Sequence, residues 1–202
     1  MAKNATQQNI ILVYGNCQAK ALYSVLNQSK NFTTKFVIDK TILNNYESIR
    51  ESSAVKYSLF RKCCLFIYQP LSDKHKQYST NHLLNYVPKD CVKLAIPYIY
   101  NDAFFKSCKS LDYIIGEFDL SAHEDLNERF DYCCLIQKTK DKDCNVKLFE
   151  FIKNHKSPKN LYITQNHPSK ELIIEVVKQC FDYFNIENDL IDFNFDSTYQ
   201  ND

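Results

Sequence analysis

The sequence predicts an α/β fold, a doubly wound and mainly parallel sheet of about five strands with helices on both faces. Three observations predict it: apolar runs of strand length recur, helical patterns follow most of them, and turn residues separate the two. Of the 202 residues, 45% are hydrophobic and 24% are charged, which is typical of a globular protein. This length favours one domain with a sizeable core.

The predicted strands are short apolar runs bounded by turn residues. Four come early and one follows a long intervening region, namely Asn9–Tyr14, Lys35–Ile38, Cys64–Tyr68, Lys93–Ile96 and Leu161–Thr164. Their alternation with helices predicts that they lie side by side in one parallel sheet.

The predicted helices carry apolar side chains at helical spacing. Two follow early strands and one follows the last strand, namely Ala19–Asn27, Ser79–Tyr86 and Ser169–Phe184. Three more lie between the fourth and fifth strands, namely Asp102–Leu111, Asn127–Lys138 and Asn145–Asn154. We therefore expect a single domain over residues 1–202, with a core at 9–97 and 158–185, a helical insertion or cap at 98–157 and an acidic, partly mobile tail at 186–202.

The composition argues against several classes of protein. The net charge of +1 argues against a dedicated nucleic-acid-binding protein, since such proteins usually carry a stripe of basic residues. The nine cysteines include no Cys-x-x-Cys pair and no zinc-ribbon spacing, so no metal site is expected. No apolar run approaches the roughly 20 residues that span a bilayer, and the first eight residues are too polar for a signal peptide. We expect reduced thiols in the cytoplasm.

The most informative motif is Gly15-Asn16-Cys17-Gln18, which joins the first predicted strand to the first predicted helix. A helix amino terminus favours negative charge, so a thiolate or an oxyanion is stabilised there. Asn16 and Gln18 add side-chain amide donors. The motif therefore favours a nucleophile or an oxyanion site at Cys17, the alternative being a buried cysteine at a strand end.

Two further blocks follow strand ends. His167 lies between the last predicted strand and the last predicted helix, at the same edge of the sheet as the Cys17 turn. It could act there as a general base or acid, the alternative being a surface imidazole. Gln69, in Gln69-Pro70-Leu71-Ser72, follows the third strand, and its amide suits an oxyanion, the alternative being a simple turn.

These blocks, in this order, resemble the WcbI-type polysaccharide biosynthesis acetyltransferase family over roughly residues 9–185: Tyr14-Gly15-Asn16-Cys17-Gln18, Tyr68-Gln69-Pro70-Leu71, Ile96-Pro97-Tyr98-Ile99-Tyr100 and Asn166-His167-Pro168-Ser169. The resemblance implies a core similar to SGNH-type hydrolases, coenzyme A binding and sugar O-acetylation. It places Cys17 at the nucleophile position and His167 as the catalytic base. Gly15, Asn16 and Gln69 then correspond to oxyanion or substrate contacts.

Two departures from the family pattern stand out. Thr164 occupies the position, three residues before His167, where SGNH-type enzymes place an aspartate. Gln165 or Asn166 is then the candidate that orients the imidazole, as an amide does in some Cys–His enzymes. The stretch Asn101–Phe105 replaces a Gly- and Pro-containing aromatic stretch, which points to a different acceptor side.

The leading hypothesis is acyl transfer from acetyl-coenzyme A to a sugar or glycan hydroxyl. Either His167 activates the hydroxyl directly while Cys17, Gln18 and Gln69 hold the oxyanion, or Cys17 first forms an acyl-enzyme. The phosphates of coenzyme A require basic and polar contacts, for which the candidates are Lys20, Ser72, Lys74 and Lys76, although the lysines at 74 and 76 also fit a solvated loop. The alternatives are an SGNH-like esterase or deacetylase acting on acylated glycan, and an inactive coenzyme A- or glycan-binding module.

Overall fold

The computed structural model describes residues 10–38, 43–105 and 125–190. Its central feature is a parallel sheet with three full strands and two strands of two residues each. In chain order these are β1 (Ile10–Gly15), β2 (Val37–Ile38), β3 (Leu43–Asn44), β4 (Leu65–Tyr68) and β5 (Val92–Ala95). The predicted α/β class and parallel sheet are confirmed.

Strand β1 lies inside the sheet and sets the position of its neighbours. It pairs with β4 along its length, from Ile11 opposite Leu65 to Tyr14 opposite Tyr68, and β5 pairs with the far side of β4. On its other edge, β2 pairs with the beginning of β1 and β3 with its end. All these pairings are parallel, so the carboxyl ends of the strands share one edge of the sheet.

The prediction that Leu161–Thr164 is a fifth strand of this sheet is wrong. The observed strand β6 (Tyr162–Thr164) pairs antiparallel with β7 (His167–Pro168) in a separate hairpin. The short turn at residues 165 and 166 folds the chain back on itself. Strand β6 therefore pairs with β7 and not with a strand of the parallel sheet. Ile163 is 48% exposed, whereas a strand inside a doubly covered sheet is buried on both faces.

Eight helices lie in the described ranges, together with two 3₁₀ segments at Asp73–Tyr78 and Pro158–Leu161. They are α1 (Cys17–Leu26), α2 (Lys30–Lys35), α3 (Asn45–Arg50), α4 (Tyr57–Phe60), α5 (Thr80–Leu84), α6 (Leu126–Asp141), α7 (Phe149–Lys153) and α8 (Lys170–Phe184). The predicted helices at α1 and α8 are confirmed to within two residues. The N-cap positions are Asn16 for α1, whose side chain accepts from the Gln18 N–H, and Ser169 for α8, whose side chain makes no capping hydrogen bond.

Two of the predicted helices in the insertion differ from the structure. The predicted helix Asn145–Asn154 is only α7, because Asn145 instead extends the sheet edge: its backbone N–H donates to the carbonyl of Ala95 at 2.8 Å, and its Oδ1 accepts from the Ala95 N–H at 2.8 Å. At the start of the predicted helix Asp102–Leu111, Ala103 and Phe104 form a turn, and residues 106–111 lie outside the described residues.

Buried side chains cover both faces of the sheet. Along β1, Ile11 and Val13 face a core shared with α1 and α8, while Leu12 and Tyr14 face a second core shared with α4 and α5. Helices therefore pack on both faces, as predicted. The proposed limits of core, insertion and tail stay a prediction, and residues 191–202 of the predicted tail lie outside the described residues.

The described residues also bear on disulfides and membrane insertion. The eight cysteines within the described ranges are all thiols. Among the helices described, none combines the length and the apolar composition that crossing a membrane requires.

Candidate functional site

The turn after β1 places Cys17 at the first position of α1. Asn16 is the N-cap: its Oδ1 accepts from the Gln18 N–H at 2.9 Å, and its carbonyl accepts from the Ala19 N–H at 2.9 Å. The first turn of α1 carries no acidic side chain. Cys17 therefore lies where the helix dipole favours negative charge.

Gly15 is required at the end of β1 because a side chain lies against it. A Cβ atom at this position would be 2.6 Å from Oε1 of Gln69 and 3.2 Å from Cβ of Ala19. The φ angle of Gly15 is outside the left-handed region. Glycine is thus needed here for space, and the close approach lets the Gln69 amide reach the Cys17 turn.

Gln18 points into the protein and joins three loops. It is 2% exposed, and its Nε2 donates to the carbonyls of Ile99 at 2.7 Å and Asn166 at 2.8 Å. Its Oε1 accepts from the Ile99 N–H at 3.1 Å and from Nε2 of Gln69 at 2.8 Å. Both amide hydrogens are therefore committed to carbonyls, which leaves Gln18 a positioning side chain with no hydrogen to offer an oxyanion.

Gln69 continues this network toward the Cys17 turn. It is 3% exposed, and its Oε1 accepts from the Asn16 N–H at 3.0 Å while its own backbone N–H donates to Tyr14. Because the backbone of Ile99 fixes the orientation of the Gln18 amide, it also fixes which end of Gln69 faces Asn16. One Nε2 hydrogen goes to Gln18, and the side chain lines the cavity described below.

The β6–β7 hairpin carries His167 to the same place. Its turn is held by the Gln18 side chain at the carbonyl of Asn166 and by the Asn101 N–H, which donates to the carbonyl of Gln165 at 2.7 Å. Thr164 donates its hydroxyl to Oδ1 of Asn166 at 3.1 Å. His167 thus reaches the carboxyl edge of the sheet through a docked hairpin rather than through a fifth parallel strand.

A cavity of about 550 Å³ lies at this edge, within the size range of small-molecule sites. It brings together residues from five loops and elements that are far apart in sequence. The lining residues are Asn16, Cys17, Asn44, Asn45, Tyr46, Glu47, Ile49, Arg50, Gln69, Pro70, Leu71, Tyr98, Asn166 and His167. Cys17 and His167, the predicted catalytic pair, therefore share one cavity with Asn16 and Gln69.

The residues predicted to bind the phosphates of coenzyme A do not line this cavity. Lys20 forms an ion pair with Glu47, Nζ to Oε1 at 3.1 Å, and both side chains are about two-fifths exposed. Ser72, Lys74 and Lys76 are exposed at the 3₁₀ segment that follows Pro70. This placement agrees with the solvated-loop interpretation of the lysines at 74 and 76.

Sequence reasoning missed the wall formed by Asn44 and α3. This wall contributes Arg50, whose guanidinium lies 5.9 Å from the ring of Tyr46 and has one contact of 3.4 Å to Glu51. The pattern Asn44-x-x-Glu47 is a helix-start signature that could have located α3, since Oδ1 of Asn44 caps it. Nothing in so short and polar a helix indicates that it borders a site.

Tyr98 was also missed as a site residue, although the Ile96-Pro97-Tyr98 block was recognised. Burial raises the pKa of Tyr98, the proximity of the Cys17 thiol raises it further, and a hydrogen bond with the Asn16 side chain opposes both. The ammonium of Lys140 lies behind it, 4.9 Å from the ring of Tyr98 and 5.8 Å from that of Tyr100. Tyr98 therefore connects the Cys17 turn with α6.

The described residues contain no cluster of metal-ligating side chains. Across residues 10–38, 43–105 and 125–190, no group of three or more histidine, cysteine, aspartate or glutamate side chains could hold a metal ion.

Together, these features define an α/β protein with a cavity, lined by Cys17 and His167, at the carboxyl edge of a parallel sheet. The family described as "Polysaccharide biosynthesis enzyme WcbI" matches residues 10–106. The resemblance to that family, carried by the sequence motifs, is therefore confirmed. The matched range contains the Cys17, Gln69 and Tyr98 blocks, and His167 lies beyond it.

A solved structure has the same fold. It is described as WcbI, a novel polysaccharide biosynthesis enzyme, in a native form without a disulfide bond between coenzyme A and a cysteine. It is 21% identical in sequence, with a TM-score of 0.71, and the match covers 94% of this chain and 74% of that one. A comparison with curated proteins finds no significant match.

Proposed function

We propose that this protein is an acyltransferase that uses a coenzyme A thioester, acetyl-coenzyme A in the simplest case, to O-acylate a sugar in polysaccharide biosynthesis. The observation that carries the proposal is the meeting of Cys17 and His167 in one cavity of about 550 Å³. Support comes from the solved WcbI structure, whose description concerns coenzyme A and a cysteine. A core related to SGNH-type hydrolases is part of the same proposal.

The walls of the cavity suit the two ends of a coenzyme A thioester. At the Cys17 end, amide groups and a helix amino terminus meet a thiol and an imidazole, as acyl transfer requires. Arg50, also in the lining, offers a planar guanidinium, a group that binds phosphate oxygens in pairs. Arg50 thus takes the phosphate-binding role that the sequence assigned to Lys20, Ser72, Lys74 and Lys76.

In the direct route, His167 removes the proton from a sugar hydroxyl, whose oxygen attacks the thioester carbonyl. The oxygen of the tetrahedral intermediate faces the amide side chains of Asn16 and Gln69 and the start of α1. The carbon–sulfur bond then breaks, the ester bond to the sugar remains, and the coenzyme A thiolate takes up a proton. Gln18 contributes by holding the loops in place.

In the covalent route, the Cys17 sulfur attacks the thioester first, and coenzyme A leaves as its thiol. The sugar hydroxyl, deprotonated by His167, then attacks the acyl-cysteine and releases Cys17. Intact-mass spectrometry after exposure to acetyl-coenzyme A separates the routes. The covalent route predicts an adduct of about 42 Da that is absent from Cys17→Ala, and the direct route predicts none.

Isothermal titration with coenzyme A tests the binding part of the proposal. We expect wild-type protein to bind and Arg50→Ala to bind about tenfold more weakly, because a charge-assisted phosphate contact is lost. Arg61→Ala is the matched control, since its exposed guanidinium stacks over Tyr86 at 5.6 Å and does not line the cavity. Equal weakening by both variants would reject the role of Arg50, and absence of binding to wild-type protein would reject the proposed function.

A further inference from the structure

Two buried thiols lie in contact at the amino-terminal edge of the sheet, opposite the cavity. Cys63 comes shortly before β4 and Cys91 directly before β5, and their Sγ atoms are 3.6 Å apart. The residues are 2% and 5% exposed. The proposed acyl transfer uses neither of them, so their juxtaposition has a separate explanation.

The backbone positions of this pair fit a disulfide. Leu65 is the register partner of Val92, and the Val92 N–H donates to the carbonyl of Cys64 at 2.9 Å. Cys63 is therefore offset from Cys91 by one residue between neighbouring strands. With strands about 4.8 Å apart, this offset falls within the Cα separations of about 4.4–6.8 Å found in disulfides.

The surroundings of the two sulfurs distinguish them from the adjacent Cys64. The neighbouring Cys63 thiol lowers the pKa of Cys91, burial opposes this, and the ammonium of Lys93 lowers the pKa further. The contact with Cys91 and burial both raise the pKa of Cys63, so Cys91 is the more readily ionised of the two. Lys93 is held beside it by donating Nζ to the carbonyl of Cys91 at 3.1 Å. Cys64 faces the other core, its Sγ donates to the carbonyl of Ile10 at 3.3 Å, and burial raises its pKa.

We propose that Cys63 and Cys91 form an oxidative modification site, at which a peroxide converts the two thiols into an intramolecular disulfide. Cys91 attacks the peroxide, whose O–O bond breaks, giving a sulfenic acid and water when the oxidant is hydrogen peroxide. The Cys63 sulfur then displaces hydroxide from the sulfenic sulfur, and a second water forms from that hydroxide and the Cys63 proton. Two thiols are oxidised, and both peroxide oxygens are reduced to water.

The disulfide would link β4 to β5 at the edge of the sheet remote from Cys17 and His167. Cross-linking restricts the unfolded chain, so the oxidised protein has the higher melting temperature. Oxidation leaves coenzyme A affinity unchanged, because the residues that line the cavity lie at the opposite edge of the sheet and keep their contacts. This inference does not depend on the proposed function.

The test is non-reducing peptide mapping of the full chain after treatment with hydrogen peroxide. We expect a peptide that joins Cys63 to Cys91, with a mass about 2 Da below the sum of the two thiol peptides. Cys64→Ala is the matched control and retains the link, whereas Cys63→Ala loses it. The wild-type map stands alone if a variant fails to fold. Overoxidation of Cys91 without a link, or a link through Cys64, overturns the proposal.

Discussion

Gly15, the last residue of β1, lies against the side-chain amide of Gln69. The contact is close enough that a Cβ atom would stand 2.6 Å from Oε1 of Gln69. In return, Oε1 reaches the Asn16 N–H at 3.0 Å and fixes the turn that presents Cys17. At the scale of single residues, the site therefore depends on a missing side chain as much as on the polar ones around it.

Gly15→Ala should destabilise the protein by about 1–3 kcal/mol, since the new methyl group pushes Gln69 out of its network. Urea unfolding measures the change in the free energy of unfolding. The control is the same substitution in a Gln69→Ala background, where the clashing atom is gone and the cost should fall below that in wild-type protein. Equal costs in the two backgrounds would show that the Gln69 contact is not the cause.

Cys17 and Gly15 were found from sequence because their setting is local: a strand, one turn and a helix in consecutive residues. The hydrogen-bond partners of Gln18 were not predicted, because they are not local. The adjacent Cys17 suggested that Gln18 contacts a ligand. Its hydrogen-bond partners Ile99 and Asn166 are 81 and 148 residues away in sequence. No local pattern indicates such partners. Arg50 was missed because the wall it belongs to forms only in the folded chain.

Between elements, Gln18 ties the start of α1 to the loops after β4 and β5 and to the β6–β7 hairpin. Four hydrogen bonds from one buried amide hold these elements together. The hairpin is outside the main sheet, so its ladder does not hold His167 beside Cys17. The Gln18 amide and the Asn101–Gln165 backbone contact take that role.

We expect Gln18→Met to lower the free energy of unfolding by about 2–4 kcal/mol, because it leaves the backbone groups of Ile99 and Asn166 unpaired in the interior. Chemical denaturation measures the loss. Gln28→Met is the matched control: this glutamine is exposed and donates its Nε2 to the Ser24 carbonyl at 2.9 Å, so its replacement should cost far less. Similar losses in the two variants would show that the buried hydrogen bonds of Gln18 do not hold these elements together.

Helix α6 places the ammonium of Lys140 against the rings of Tyr98 and Tyr100. The ammonium is shielded from solvent and makes no hydrogen bond among the described residues, and burial lowers its pKa from 10.5 to about 8. Between pH 8 and 10.5, the unfolded chain binds a proton that the folded chain has released. The contribution of Lys140 to stability therefore rises with pH across this window and is least favourable below pH 8.

Lys140→Met should accordingly stabilise the protein below pH 8, by up to about 3 kcal/mol, with the advantage shrinking toward pH 10.5. The measurement is the difference in unfolding free energy between variant and wild type across this pH range, which cancels the titration of the other groups. Lys138→Met on the exposed side of α6 is the control and should show no such slope. A constant difference across the range would contradict the buried charge.

The element predictions succeeded where the periodicity was strong and failed where tertiary contacts decided. Helix α8 has a clear apolar face and was located to within one residue. The run Leu161–Thr164 has the apolar pattern of a strand, but only its pairing with His167 and Pro168 decides that it leaves the parallel sheet. Likewise, Asn145 has a helical context in sequence, but its hydrogen bonds with the backbone of Ala95 hold it outside α7.

Over the whole molecule, the cavity gathers residues from both ends of the described chain, from Asn16 to His167. The cores on the two faces of the sheet fix its carboxyl edge, and the loops at that edge line the cavity. The thiol pair Cys63–Cys91 lies at the opposite edge. The cavity and the thiol pair thus lie at opposite edges of the sheet.

In the proposed reaction, Cys17 and His167 together transfer an acyl group from coenzyme A to a sugar. The most direct measurement is the transfer of radiolabelled acetyl from acetyl-coenzyme A to a panel of hexose and sugar-nucleotide acceptors. We predict transfer by wild-type protein and by the control Cys64→Ala, and a loss of at least about 100-fold in His167→Ala; the covalent route predicts the same loss in Cys17→Ala, where the nucleophile is gone. Undiminished transfer in both of these variants, or release of free acetate with no labelled sugar, would contradict the account.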